Sequence, residues 1–240
     1  MLFSHHDIQA IRLSLQVSAV AAAVFFVPGL LLGVWLARSR SRWRAVVQAV
    51  VTIPLVLPPV VTGLFLLQLL IALHRGLAFT WGAAALAAGT VASPLLIRTV
   101  RASVEAMDPR LLTVAATLGA SRWRAFFTIT LPVCWKGVVG GSVLFWARAM
   151  GEFGAVMVAA SNTPGRTQTI PLAIYSKLET PTDQPIWPLV TVSLVVSFAA
   201  IALSEWLVRE KSGRSSRRQD SGVRFSIKRD AEASRPLQEE

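Results

Sequence analysis

The sequence predicts an all-α integral membrane protein that crosses the bilayer five times. Only 15% of its 240 residues are charged and 53% are apolar, whereas a soluble domain carries about 25% charged residues. Three runs without any Asp, Glu, Lys or Arg cover residues 13–37, 45–73 and 76–97. About 20 apolar residues in a helix cross the hydrocarbon core of a bilayer, so each run is long enough to span it.

Two later stretches complete the set of spans, because their apolar runs contain few charges or none. The five expected spans cover about residues 13–37, 45–73, 76–98, 137–160 and 186–208. Residues 1–10 lack the basic region of a cleaved signal peptide, so the first run is interpreted as a retained span, and residues 1–12 as an outer N-terminal arm. Residues 209–240 are polar and rich in Ser and Arg, which predicts a disordered basic cytoplasmic tail.

The basic residues are distributed unequally between the two sides of these spans. Nineteen of the 24 Lys and Arg fall in residues 38–44, 98–136 and 209–240, and only four lie on the opposite side. Because Lys and Arg are retained in cytoplasmic segments during insertion, the N-terminus is expected outside and the C-terminus in the cytoplasm. The net charge of +11 therefore indicates topology and attraction to membrane lipid, and no nucleic acid is expected as a partner.

The outer segment 161–185 allows two interpretations. Its ends are too polar to span a membrane, while its middle, residues 170–175, is apolar. An ordinary outer loop and a short re-entrant or interfacial helix both fit these residues.

The second span contains prolines at positions 54, 58 and 59, followed by Thr62 and Gly63. Prolines free backbone carbonyls inside a membrane, which is tolerated only where neighbouring groups or water satisfy them. A bent helix that presents polar groups is therefore expected, and a kink that serves packing alone is the alternative.

The fourth span contains two opposite charges, Arg148 and Glu152. Residues four apart share one face of a helix, and charges within a span face the bundle or a transport pathway. The pair is predicted to act either as a structural lock or as part of a gate for an anion.

The cytoplasmic segment 108–132 is unusually apolar for the basic side of the protein. Pro109 fits the first turn of a helix, Gly119 is expected to end that helix, and Ser121 to cap the next one. One face of the first helix is expected to carry Leu111, Leu112, Ala115 and Leu118, and the second helix carries Trp123, Phe126, Phe127 and Ile129. Such a loop fits a groove in a partner protein, or it packs beneath its own bundle.

This segment resembles the coupling loop of type I ABC-importer permeases, whose pattern is Glu-Ala-Ala, three residues, Gly, nine residues, Ile, one residue, Leu-Pro. The matching positions are Ala115, Gly119, Ile129, Leu131 and Pro132, while Thr113 stands where the pattern has Glu and Val114 where it has the first Ala. The resemblance implies that the loop docks on an ATPase subunit. The residues assigned to this docking loop are Leu111, Thr113, Ala115, Leu118, Gly119, Ala120, Ser121, Leu131 and Pro132.

Two further stretches, TIPLVLPPVVTG (52–63) and RAMGEFGAVMVAASNTPGRTQTIPLAIY (148–175), resemble the molybdate permeases and, more distantly, the sulfate/thiosulfate and tungstate permeases. The resemblance extends over about residues 8–208. It implies a homodimer in the bacterial inner membrane that works by alternating access with an ABC ATPase dimer and a periplasmic oxyanion-binding protein. The implied translocation path and gate comprise Pro58, Pro59, Thr62, Gly63, Arg148, Glu152 and Phe153.

No enzymatic activity is expected of the chain itself. The sequence shows no phosphate-binding P-loop, no metal-ligand cluster and no nucleophile triad. No cofactor is therefore expected on this chain, and ATP and Mg are expected on the partner ATPase. An ion-gradient secondary transporter is the alternative from another class, although such proteins usually show an internal repeat.

Overall fold

A computed structural model describes residues 4–73, 76–180 and 185–209, and every regular element in those ranges is helical. The helices are α1 (His5–Arg38), α2 (Trp43–Val56), α3 (Pro59–Leu73), α4 (Trp81–Glu105), α5 (Arg110–Thr117), α6 (Arg122–Ala125), a π-helix (Phe126–Thr130), α7 (Leu131–Met150), α8 (Gly154–Ala160), α9 (Ile170–Glu179) and α10 (Trp187–Arg209). The predicted all-α class is confirmed. The tail beyond residue 209, predicted to be disordered, lies outside the described residues.

Within the described residues, four continuous helices are long and apolar enough to cross a membrane. These are α1, α4, the unbroken helix Arg122–Met150 and the stretch Trp187–Leu207 of α10. Helices α2 and α3 form a fifth candidate span only if the two are counted together, because they meet at an angle of 111°. The structure therefore has four or five candidate spans, against the five predicted.

The second span is not the single helix expected over residues 45–73. Leu57 leaves the helix with an extended ψ of 144°, a conformation that is favoured for the residue before a proline. Pro58 has no N–H to continue the helical hydrogen bonds, and α3 begins at Pro59. The predicted bend is confirmed, but it divides the span into two helices, while Pro54 remains inside α2.

The fourth span also differs from the expected helix over residues 137–160. Helix α7 starts at Leu131, six residues before the predicted start, and it ends at Met150, ten residues before the predicted end. Gly151 caps the end of α7, and α8 begins at Gly154. Glu152 Oε1 accepts a hydrogen bond from the Ala155 N–H at 3.0 Å, so this carboxylate satisfies a free donor in the first turn of α8. The sequence had predicted that Arg148 and Glu152 share one helix face. They do not, because Glu152 lies beyond the end of α7.

Within the expected outer arm, residues 5–12 form the first turns of α1. Ser4 Oγ accepts from the Asp7 N–H at 3.2 Å, and Asp7 Oδ2 accepts from the Ser4 N–H at 3.0 Å. This reciprocal pair is a capping box, which starts a helix efficiently. Asp7 is buried and pairs with Lys177 Nζ of α9 at 2.7 Å, so the first turns of α1 dock onto another helix.

The described part of segment 161–185, which the sequence placed outside, contains a short helix, α9, rather than an ordinary loop alone. It is anchored to α1, because the Ile170 N–H donates to Ser14 Oγ at 2.7 Å. The apolar middle of the segment, identified in the sequence, therefore packs on the bundle.

Helix α4 lies at the centre of the bundle and packs against α1, α7 and α8. Its buried face is built largely from alanines, and small residues let membrane helices approach closely. Gly141 of α7 meets α4 so closely that an added Cβ would lie 2.9 Å from Thr99 Cβ. The Gly140 carbonyl accepts from Ser204 Oγ of α10 at 3.3 Å. Both glycines therefore serve packing within the chain.

Candidate translocation gate and coupling surface

Two helix breaks, the one between α2 and α3 and the one between α7 and α8, lie side by side because α3 packs on α8. An added Cβ at Gly63 would lie 2.7 Å from the Ala155 carbonyl oxygen. An added Cβ at Gly154 would lie 3.1 Å from Pro59 Cβ. The backbones of the two broken helices are thus in direct contact. The structure brings together the residues that the sequence had assigned to a gate from separate parts of the chain.

The charged pair of the fourth span lies at this junction. Arg148 Nη1 is 2.7 Å from Glu152 Oε2, and the Glu152 side chain is 2% exposed while that of Arg148 is 33% exposed. The second carboxylate oxygen caps α8 through Ala155. Glu152 therefore holds the end of α7 and the start of α8 together, which supports the interpretation of the pair as a structural lock.

Thr62 contributes a buried hydroxyl next to the junction. Its Oγ1 has no hydrogen-bond partner among the described residues, and burial of a hydroxyl without a partner is unfavourable. The preceding break leaves Pro58 exposed and Pro59 half-buried. The polar group that the sequence predicted in the bent second span is therefore present, and its hydroxyl is buried at the contact between α3 and α8.

Phe153 lies between the two helix ends and is covered by α9. Its ring centroid is 5.1 Å from that of Tyr175, a distance typical of interacting aromatic rings. The Tyr175 hydroxyl donates to Glu179, and this hydrogen bond to the carboxylate raises the pKa of the Tyr175 phenol. The sequence did not identify Tyr175 as part of the site, because nothing in its spacing links it to Phe153.

The turn between α5 and α6 has the local structure that the sequence predicted. Gly119 has a φ of +77°, a conformation that favours glycine. Ser121 Oγ accepts from the Arg124 N–H at 3.3 Å and caps α6. Ala120, between them, donates its N–H to the Ala115 carbonyl at 2.9 Å. The predicted helix–Gly–helix shape is confirmed.

The α5–α6 element has a covered face and an uncovered face. Leu112 and Ala115 lie against the bundle together with Phe126. Leu118 lies just beyond the end of α5 and is 81% exposed. The other exposed residues of this element include Leu111, Thr113, Val114, Trp123 and Phe127. The four apolar residues that the sequence placed on one face therefore differ in burial, because the bundle covers Leu112 and Ala115 and leaves Leu111 and Leu118 exposed.

The second half of the predicted loop belongs to a long helix. Residues Arg122–Met150 run without a break through the π-helix into α7, and π-helical turns are frequent at functional sites. Leu131 and Pro132 lie in the first turn of α7, half-buried and exposed respectively. The uncovered apolar surface is thus continuous with a candidate membrane span.

Comparisons with known proteins identify the family. The family described as binding-protein-dependent transport system inner membrane component matches residues 29–213. The molybdenum transport system permease protein ModB of Escherichia coli strain K12 is 38% identical, over 89% of this chain and 100% of its own length. ModB of Haemophilus influenzae is 42% identical, over 84% and 93%. The molybdate/tungstate permease protein WtpB of Thermococcus kodakarensis is 34% identical, over 86% and 82%.

Solved structures agree on the fold. An inward-facing structure of the MetNI methionine ABC transporter aligns with a TM-score of 0.68 at 17% identity, over 84% of this chain and 96% of the other. A bacterial ABC transporter that imports the acidic polysaccharide alginate aligns with a TM-score of 0.62 at 17% identity, over 88% and 81%. Together with the match over most of its length, this fold shows that the chain belongs to the family of binding-protein-dependent transport system inner membrane components, the permease subunits of ABC importers.

Proposed function

We propose that the chain is the permease of an ATP-driven importer that moves molybdate from a periplasmic binding protein into the cytoplasm by alternating access. The observation that carries this proposal is the uncovered apolar face of α5–α6, which continues directly into the helix that ends at the gate junction. The names of the relatives similar over nearly their whole length support molybdate as the cargo. Tungstate is the second candidate, favoured by the name of the WtpB relative.

In this proposal the protein works as a homodimer with its N-terminus outside and its C-terminus in the cytoplasm. ATP and Mg bind to a separate ATPase dimer, whose grooves receive α5–α6. ATP-driven closure of that dimer moves the long helix and opens the gate toward the binding protein. Since Glu152 neutralises Arg148 at the junction, the path holds the anion weakly, and weak binding lets it leave.

The proposal is tested by reconstituting the permease with the ATPase and the binding protein encoded beside it. Molybdate uptake into proteoliposomes is expected to require ATP, and tungstate and sulfate are compared as competitors at equal concentration. Uptake that continues after ATP depletion would contradict the importer mechanism and favour a secondary transporter. ATP-dependent uptake that sulfate but not molybdate inhibits would retain the mechanism and reject the cargo.

Replacement of Gly119 by proline is expected to uncouple ATP hydrolysis from transport. Proline cannot adopt the φ of +77° found at this position, and it removes the N–H that donates to the Ala116 carbonyl. The turn between α5 and α6 would change shape without any effect on the apolar spans. We expect normal membrane insertion, continued ATPase activity and uptake reduced at least about tenfold, which corresponds to about 1.4 kcal/mol.

The matched control is Gly119→Asn, because asparagine tolerates positive φ better than other side chains and a Cβ at this position meets nothing within 4 Å. The asparagine variant should retain most of its uptake. Wild-type uptake by the proline variant would exclude a coupling role for this turn.

Leu118→Ser is expected to weaken the complex with the ATPase without destabilising the permease. The side chain is 81% exposed, so its removal leaves no cavity in the permease, whereas buried apolar anchors dominate the affinity of interfaces. Co-purification with the ATPase should fall about tenfold. Leu178→Ser is the matched control, since Leu178 is also exposed but lies on α9. Equal retention of ATPase by both variants would contradict the assigned docking surface.

A further inference from the structure

A cleft of about 470 Å³ lies between the last turns of α1 and the start of α6, and it is separate from the gate junction. Two arginines, Arg38 and Arg122, line one part of it, while Leu31 and Val34 line another. None of the residues that line the cleft is acidic. The cleft is therefore cationic at one end and apolar at the other.

The apolar part of the cleft extends along α1 away from the arginines. Leu31 and Arg38 are seven residues apart on one helix, which places them about 10 Å apart along its axis. Both α1 and the helix that starts at Arg122 are candidate spans, and both terminate at this cleft. The cationic end consequently lies at the ends of two candidate spans, and the apolar end lies about 10 Å along α1 toward the middle of its span.

Two tryptophans line the cleft beside the arginines. Trp35 lines the cleft from α1 and Trp123 from α6, and both are exposed. Tryptophan side chains are enriched at membrane–water interfaces, where their amphipathic rings lie among the headgroups. A ligand with an anionic headgroup and an apolar chain at least about 10 Å long could contact both ends of the cleft.

The arginines retain donors for a ligand. One nitrogen of Arg38, Nη2, donates to Thr130 Oγ1, and the remaining N–H groups of the five on a guanidinium stay available. The nearby carboxylate of Glu105 accepts hydrogen bonds from Arg44 and Arg101, and it is not part of this cleft. A phosphate between Arg38 and Arg122 would thus meet two cations and no competing acid within the cleft.

We propose that this cleft is a binding site for an anionic phospholipid, with its phosphate between Arg38 and Arg122 and one acyl chain along Leu31 and Val34. The lipid bridges α1 to α6, the first turn of the helix that bears the proposed ATPase surface. This inference goes beyond the proposed transport function and does not depend on which anion the protein carries.

The test measures lipid retention by the full-length protein. Dioleoyl phosphatidylglycerol and dioleoyl phosphatidylcholine are titrated onto detergent-purified protein, and bound lipid is counted by native mass spectrometry. A basic residue near an anionic membrane surface contributes about 1 kcal/mol, which is roughly a fivefold change in affinity. Phosphatidylglycerol should therefore bind about fivefold more weakly to Arg122→Gln and about 25-fold more weakly to Arg38→Gln/Arg122→Gln.

The matched control is Arg110→Gln/Arg124→Gln, which removes the same charge from two exposed positions of the α5–α6 region that do not line the cleft. This control should bind phosphatidylglycerol like the wild type, and excess glycerol 3-phosphate should not displace the lipid.

Equal losses of phosphatidylglycerol binding in both double variants, or binding of phosphatidylcholine as tight as that of phosphatidylglycerol, would overturn the proposal. Displacement by glycerol 3-phosphate would reassign the cleft to a free phosphate, and displacement by the purified ATPase would reassign it to a protein contact. The double variant also removes the hydrogen bond from Arg38 to Thr130. If that loss impairs folding, the single variant Arg122→Gln, which keeps this hydrogen bond, still tests the proposal.

Discussion

Replacement of Gly63 by alanine is expected to destabilise the protein and abolish transport. The added Cβ would lie 2.7 Å from the Ala155 carbonyl oxygen and 2.8 Å from Ala155 Cα. Both are backbone atoms, so no side-chain rotation relieves the overlap, and α3 must separate from α8. Overpacking of this kind costs about 1–3 kcal/mol. The measurements are the thermal unfolding midpoint in detergent and ATP-dependent uptake.

Gly82→Ala is the control for this substitution. Gly82 also lies in a helix, but the nearest atom to an added Cβ is the flexible Leu77 Cδ2 at 3.4 Å. Alanine is preferred over glycine within a helix, so this variant should be as stable as the wild type and transport normally. If Gly63→Ala behaves like the control, the two helix breaks are not in contact in the working protein.

Replacement of Glu152 by alanine is the second change expected to have a large effect. It leaves Arg148 without its partner and removes the acceptor for the Ala155 N–H. Loss of one partner of a fully buried ion pair costs about 3–5 kcal/mol. Arg148 is about one third exposed and water screens part of its charge, so we expect a loss of about 2 kcal/mol. Thermal unfolding of the purified variant measures this loss.

The double variant Arg148→Met/Glu152→Gln separates a lock from a gate. It removes both charges while it keeps a polar acceptor for the Ala155 N–H. If the pair is only a lock, stability and uptake should both recover relative to Glu152→Ala. If Arg148 also acts on the anion, stability should recover and uptake should stay low. A Glu152→Ala protein as stable as the wild type would contradict the lock.

The fold class could be predicted from sequence because it depends on composition over long windows. A long run without charged residues predicts a membrane-crossing segment, and this prediction does not depend on how the segment packs against other helices. The 111° angle between α2 and α3 could not be predicted in the same way. Two adjacent prolines predict a break, but the direction of the chain after it depends on packing between Gly63 and Ala155, which are distant in sequence.

The candidate site shows the same division between local and tertiary information. The ion pair of Arg148 and Glu152 followed from their spacing, although the helix that the spacing assumed ends at Met150. The run Gly-Glu-Phe-Gly at 151–154 contains a readable signal for this break, since glycine is unfavourable within helices and Glu can satisfy the next helix start. The capping box of Ser4 and Asp7 was equally readable.

The shape of the α5–α6 element could be predicted from sequence, but the exposure of its side chains could not. Gly119 adopts a positive φ and Ser121 caps α6 with its own side chain. Both effects are local, so residue type alone predicts the turn. Which side of α5 is covered depends on the position of the bundle. Leu112 and Leu118 are therefore alike in sequence but different in burial.

In the proposed transport cycle, the unbroken helix Arg122–Met150 transmits motion from the ATPase surface to the gate as one rigid element. Its 29 residues span about 40 Å, so a tilt of about 5° at the α6 end displaces the other end by roughly 3.5 Å. Arg148 moves with this helix, whereas Glu152 lies beyond its end and is tied to α8. A displacement of that size along the line of the pair would lengthen the 2.7 Å between Arg148 Nη1 and Glu152 Oε2 beyond the limit of about 4 Å for an ion pair. A few degrees of rotation at one surface are therefore enough to part an ion pair at the opposite end of the same helix.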